Sequence, residues 1–227
     1  MLVTMSGSKQ GWAARTDRQP RDGDRRQEIV AAARVVFAKL GYSGTTVADI
    51  AGEVGISRAA FYVYFASKAD VFAALARAVR DDLIAAQDVA PIEGHTDSDV
   101  LERSTVAYLD AYTRNLALLT VIEHSAISDP QIGETWREIT ERPVKRATRY
   151  IDRVVASGTA EPAGSASVIA EALIGVVAQF ARMLEKAPHR RKDLEHDIRR
   201  ISTRLVGLPS ASALETAAGE RRKATAR

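Results

Sequence analysis

Apolar residues recur along most of this chain at helical spacing. Ile29, Ala32, Ala33, Val36, Phe37 and Leu40 fall at i, i+3, i+4, i+7, i+8 and i+11, which places them on one helical face. Gly41 follows, and glycine ends a helix cheaply because it accepts left-handed backbone. Val47, Ile50, Ala51 and Val54 repeat the pattern. Ala60, Phe61, Tyr64 and Phe65 then give an inward face to a shorter segment. A long helix is predicted from Ser67 to about Val89, carrying Val71, Leu75 and Val79, with Pro91–Gly94 breaking the chain after it. Further helices are predicted at about 98–114, 116–127, 131–157, 165–186 and 191–206. Asp129–Pro130, Gly158, Pro162, Gly164 and Pro188 punctuate them, and Pro143 predicts a kink or break inside the third. No sustained alternation of apolar and polar residues points to a sheet, so the expected fold class is all-α.

Capping signals divide residues 44–72 more finely. Thr46 followed by Asp49 is a variant capping box that starts a helix at Val47. Gly55 and Ile56 then lead to Ser57, a second N-cap, and Ser67 followed by Asp70 is a third. The result is helix, glycine-containing turn, helix, an arrangement that presents its second helix to a DNA major groove. That second helix has about eight residues, too few to stand alone in water, so Phe61 and Phe65 must pack against its neighbours.

Charge changes this picture by its placement. Lys and Arg number 32 against 29 Asp and Glu, a formal net charge of +3, too little to establish a nucleic-acid partner. Yet residues 1–22 and 209–227 each carry an excess of cations, leaving the stretch between them near neutral. Both ends read as basic, flexible segments, the first an arm and the second a tail. The expected organisation is arm (1–22), helix-turn-helix domain (23–83), larger helical domain (84–208) and tail (209–227).

The outward residues of the second short helix are Ser57, Arg58, Ala59, Tyr62 and Val63. Arg58 has the fork of donors that matches a guanine edge or a phosphate. Ala59 lets backbone approach the groove and offers a methyl to thymine. The hydroxyls of Tyr62 and Tyr64 reach for phosphate oxygens. Thr46 and Lys68 stand at helix N-termini, where free N–H groups attract anions.

With these residues in view, LGYSGTTVADIAGEVGISRAAFYVYFASKADVF resembles the DNA-binding domain of the tetracycline-repressor (TetR) family of bacterial regulators. Gly41–Tyr42, Thr45–Thr46, Asp49–Ile50–Ala51, Val54–Gly55–Ile56–Ser57, Phe61–Tyr62, Tyr64–Phe65 and Lys68 carry the resemblance, which covers roughly residues 23–83. It implies a three-helix DNA-binding domain followed by a larger helical domain that binds ligand and dimerises. By position it implies DNA contacts at Thr46, Ser57, Arg58, Ala59, Tyr62, Tyr64 and Lys68. Position 64, often His in this family, is Tyr here. The implied partners are double-stranded operator DNA, a small-molecule inducer and a second copy of the chain. No cofactor and no membrane partner are implied, and the implied location is the cytoplasm.

The C-terminal region is similar to the actinobacterial subgroup of that family that represses ethionamide activation. That similarity implies a hydrophobic or amphipathic inducer, with pocket positions near Tyr108, Tyr112, Trp136, Thr140, Pro143, Ile174 and Val177; the periodicity alone reads these equally as core. By the family resemblance, residues 165–186 and 191–206 form the dimer interface, with Gly175 and Ala178 permitting close approach and Ile198, Ile201 and Leu205 supplying an apolar stripe.

Other chemistry is set aside. The chain has no cysteine, which excludes disulfides, cysteine zinc sites and thiol nucleophiles. Apolar runs are expected to be interrupted before the roughly 18 residues of a membrane span. His189, Asp193 and His196 have helical spacing but read as solvated surface. Glu123–His124 reads as a half-buried histidine or a polar group in a pocket. No phosphate loop or nucleophile elbow occurs, so no enzyme is expected. The function expected is a ligand-released homodimeric repressor. The alternatives are an activator of the same family, or a helical small-molecule binding protein without DNA function.

Overall fold

The computed structural model describes residues 22–88 and 94–209. The expected arm before Asp22, the tail after Pro209, and the predicted helix end at Val89 with most of the break after it lie outside the described residues. The order is α1 (Asp22–Gly44), α2 (Val47–Val54), α3 (Arg58–Tyr64), α4 (Lys68–Ala86), α5 (Asp97–Ala126), α6 (Pro130–Ala156), α7 (Ala166–Lys186) and α8 (Arg191–Val206). A 3-10 turn, Pro188–Arg190, joins the last two, and no strand occurs among the described residues.

The short helices are set by their ends. Thr46 accepts from the Asp49 amide at 3.2 Å, while Asp49 accepts from the Thr46 amide at 2.8 Å, closing the capping box. Gly55 ends α2 at φ 77°, and the Ile56 amide returns to the Ala51 carbonyl at 2.9 Å, satisfying an end carbonyl of α2. Ser57 caps α3 by accepting from the Ala60 amide at 3.1 Å, and Ser67 does the same for α4 through Asp70. Gly41, at φ 69° and ψ 176°, breaks the helical geometry of α1 where the sequence places its end.

Three expectations change. The helices predicted at 98–114 and 116–127 are one, α5, running through Asn115. Asn115 is tolerated there because it is fully buried and bonded. Its amide donates to the Ala111 carbonyl at 2.8 Å and to Asp82 at 3.3 Å, and its oxygen accepts from Arg34. Of the kink or break expected at Pro143, the break does not occur: α6 continues through it with the proline buried. Burial against the neighbouring helices supplies what the local hydrogen bond lacks. Finally, α7 is long and apolar enough, by length and composition, to cross a membrane, and a third of that stretch is buried. Its inward side packs Ile169, Leu173, Val177, Ala181 and Leu184 into the core.

One apolar core passes from Ile29 and Phe37 in α1, through Ile50, Phe61 and Phe65, into Leu75 and Leu83 of α4, and on to Leu109, Ile122, Leu184 and Ile198. A second cluster gathers Leu101, Ile151, Val154, Ile169, Leu173 and Val206 at the far end. The expected boundary at residue 83 therefore falls inside α4, which packs on α1 on one side and on α5 and α6 on the other. Polar contacts reinforce that joint: Arg80 of α4 meets Glu138 of α6 at 2.6 Å, and Arg34 of α1 lies 3.6 Å from Asp82 of α4.

Candidate functional site

The turn between α1 and α2 is held from behind. Lys68 donates to the carbonyls of Tyr42 at 2.8 Å and Thr45 at 2.9 Å, and its ammonium lies 4.4 Å from the centre of the Tyr42 ring. Tyr42 in turn packs on Phe37 and Phe72, with ring centroids 5.9 and 4.8 Å away. Burial is the main force pushing the Tyr42 hydroxyl's pKa above its ordinary value. Thr45 is buried and donates to the Gly41 carbonyl at 2.7 Å. Arg26 closes the other end of the unit. It donates to the Tyr64 carbonyl at 2.5 Å and lies over the Phe65 ring at 4.0 Å, a cation at the negative end of α3.

This scaffold orients α3. Phe61 and Phe65 are buried, whereas Arg58, Ala59, Tyr62 and Val63 face solvent. Among the described residues, the Arg58 side chain has no hydrogen-bond or ion-pair partner. A long cation with no internal partner, at the first turn of a helix fixed by its neighbours, is available to an external anion or base edge. Tyr62 stands edge-on to Phe61 at 5.6 Å, which fixes its ring while leaving its hydroxyl outward. Val63 is 77% exposed, an unusual position for a β-branched apolar side chain. It belongs to the surface although it is absent from the expected contacts. Its signal in the sequence is an apolar residue on the outer face of an otherwise inward-packed short helix.

The expected DNA contacts thus separate by geometry. Arg58, Ala59 and Tyr62 share one exposed face, with Ser57 at its edge and Thr46 exposed at the start of α2. The Thr46 hydroxyl donates to Asp49 at 2.7 Å, and the hydrogen bonds from Thr46 hold the Asp49 carboxyl below its ordinary pKa. Tyr64 is half-buried against the core. Lys68 is also half-buried, and two of its three donors are engaged by carbonyls.

A cavity of about 260 Å³ opens between α5, α6 and α7, where the two apolar clusters meet. Of the expected pocket residues, Tyr108, Ile174 and Val177 line it. Tyr112 and Trp136 line a smaller space of about 140 Å³ beside Arg182 and Glu123. Thr140 is exposed, its hydroxyl donating to its own helix at 3.1 Å, and Pro143 is buried away from both spaces. The remaining walls of the larger cavity include Leu101, Ser104, Ala147, Tyr150, Ile151 and Leu173. Their signal is present as helical stripes, Leu101–Ser104–Tyr108 on α5 and Ala147–Tyr150–Ile151 on α6, but a stripe does not distinguish a wall from a filled core. Burial strongly raises the pKa of the Tyr108 hydroxyl, which keeps it neutral.

The outer side of α7 shows Val168, Ala172, Gly175 and Gln179 to solvent, and nothing stands within 4 Å of where a Gly175 side chain would begin. Ala178 is half-buried. Ile198 points into the chain's own core, leaving Ile201 and Leu205 half-exposed, so the stripe expected on α8 is shorter than its spacing suggests. His189 lies in the 3-10 turn, and Asp193 and His196 are on α8; all three are exposed. His124 is exposed rather than half-buried, and Glu123 borders the smaller space.

Comparison with known proteins follows the same division. Residues 29–75 match the family model described as bacterial regulatory proteins, tetR family. The chain is 26% identical over 174 residues to the HTH-type transcriptional activator FasR of Mycolicibacterium smegmatis, covering 76% of this chain and 77% of that protein. It is 49% identical over 53 residues to the HTH-type transcriptional repressor AcnR of Corynebacterium diphtheriae, covering 23% of this chain and 28% of that one. A tetR-family regulatory protein from Rhodococcus RHA1 superposes with a TM-score of 0.68 at 23% identity, covering 82% of this chain and 98% of that one. Salmonella enterica GusR superposes at 0.67 and 20% identity, covering 84% and 99%. These two likenesses establish a shared fold.

Proposed function

We propose that this chain, a DNA-binding transcriptional regulator of the tetR family, acts as a homodimeric repressor that a small hydrophobic or amphipathic molecule releases from its operator. The observation that carries the reading is the face of α3: Arg58, Ala59, Tyr62 and Val63 exposed together on a helix fixed by Ser57, Phe61 and Arg26. In a two-fold dimer each α3 enters one of two successive major grooves, so the operator has two inverted half-sites. Arg58 reads a base edge, Tyr62 and Thr46 hold phosphates, and Val63 and Ala59 meet thymine methyls. Lys68 supports this surface by fixing the turn that presents Thr46. The outer sides of α7 and α8 pair the two copies, covering the part of α7 that one copy leaves exposed. The cavity between α5, α6 and α7 holds the inducer, which acts only by the difference in its affinity for the operator-bound and free forms. The chain works where the DNA is, in the cytoplasm.

Selection from random duplex DNA with the full chain tests this directly. The expected result is one enriched sequence with two inverted half-sites. Recovery of no preferred sequence would favour a helical small-molecule binding protein whose first three helices have lost DNA function.

The similarity to FasR, named an activator, favours activation as the second reading. Transcription in vitro from a promoter bearing the selected site separates the two. Added protein lowers transcript in the first reading and raises it in the second.

A further inference from the structure

The cavity between α5, α6 and α7 is apolar inside and basic at its rim. Leu101, Ile151, Leu173 and Val177 form its interior, while Arg146 and Arg153 are the charged residues in its wall. No acidic side chain lines it among the described residues. Both arginines stand at the solvent edge. Arg146 lies 2.5 Å from Asp88, and Arg153 lies 3.2 Å from Asp97, pairs between half-exposed side chains. Such pairs are weak, so an incoming anion exchanges one solvated partner for another at little cost.

Their register on α6 adds a second observation. Arg142, Arg146, Arg149 and Arg153 fall at i, i+4, i+7 and i+11, one stripe of the helix. Within it Arg149 is exposed and has no hydrogen-bond or ion-pair partner among the described residues. Inside the cavity, Tyr108 is 3% exposed and its hydroxyl takes part in no hydrogen bond among the described residues. A hydroxyl without a partner, on a buried residue that lines an apolar space, is a group open to a polar atom of a ligand.

We propose that the inducer is an anionic amphiphile, its apolar tail filling the cavity and its carboxylate or phosphate head held at the rim by Arg146 and Arg153, with Arg149 supplying further positive charge. This rests on the cavity being the inducer site, and it narrows the class of molecule from hydrophobic or amphipathic to acidic. The head displaces Asp88 and Asp97 from their arginines, and Tyr108 meets a polar atom near the start of the tail. A neutral or cationic molecule of equal length leaves the arginines with the partners they already have.

Calorimetric titration of the full chain with decanoate, decyl phosphate, 1-decanol and decyltrimethylammonium is the test. The expected result is that at least one of the two anions binds about tenfold or more tightly than decanol, with the cation weakest. The tighter of decanoate and decyl phosphate assigns the head group. Arg146→Gln with Arg153→Gln should bring the anions down to the level of decanol and leave decanol unchanged. The wild-type series decides the matter even if that variant does not fold. Leu173→Trp, which fills the cavity, should remove binding of all tails. Decanol binding as tightly as both anions, and lost in Leu173→Trp, would overturn the acidic head while leaving the cavity as the site. Binding of none of the probes, or binding that survives Leu173→Trp, would overturn the cavity reading as well.

Discussion

The helix-turn-helix and the bundle of α5–α8 are built from the same kind of amphipathic helix, yet they expose function differently. In the first, the exposed face follows from local rules. Thr46, Ser57 and Ser67 cap three successive helices, Gly55 turns the chain at positive φ, and Phe61 fixes which side of α3 points in. What remains outward is the candidate DNA surface. In the second, the candidate site is a space left where two apolar clusters fail to merge, and no local rule locates it. The lesson is that a convex recognition surface is specified by caps and short spacings, whereas a concave one depends on packing between distant segments.

The largest effect that separates the two regions is expected at Phe61. It is fully buried where α3 packs on α2, and Phe61→Ala should cost about 3–5 kcal/mol in urea unfolding. Because one core joins this region to α5, the loss should appear as a shift of a single transition. Two separated transitions would show that the regions fold independently. Leu173 offers the contrasting case. It borders the cavity, so one side of it already lacks partners, and Leu173→Ala should cost about 2 kcal/mol, the low end for leucine. A cost above that of Phe61→Ala would mean that the bundle is the tighter of the two.

Lys68 sharpens the comparison on the DNA side. Lys68→Met removes two charge-assisted bonds to the Tyr42 and Thr45 carbonyls and should cost about 1.5–3 kcal/mol of stability. Its DNA complex should keep the wild-type dependence on salt. A slope reduced by about one would instead make Lys68 a phosphate contact. The smallest expected effect is at Ser57, whose replacement by Ala removes the cap of α3 and should cost about 1 kcal/mol. A neutral result in thermal unfolding would leave the packing of Phe61 alone to hold that helix.

Much of this architecture was legible in the sequence, and unevenly so. The three caps and the ends at Gly41 and Gly55 are short-range events between residues a few positions apart, and the structure has them where the spacing places them. The continuity of α5 through Asn115 was not legible, because the partners that make a buried asparagine acceptable, Arg34 and Asp82, lie 81 and 33 residues away. The passage of α6 through Pro143 is not legible either, because a proline that ends a helix and one buried inside it look the same in sequence. In the cavity, the resemblance leads to Tyr108, Ile174 and Val177, while Thr140 and Pro143 lie outside its lining. The turn of each helix about its axis is set by its neighbours and not by its own residues. Ile198 shows this on α8: its spacing groups it with Ile201 and Leu205, but packing draws it inward.

The most direct measurement is the fluorescence anisotropy of Arg58→Ala against wild type on two duplexes, the selected operator and an unrelated sequence of equal length. Arg58 is exposed and unpartnered among the described residues, so the variant should fold as wild type does. The expected result is a loss of about 1–3 kcal/mol on the operator, with little change on the unrelated duplex. Equal affinity of the two proteins for the operator would contradict α3 as the helix that reads the sequence.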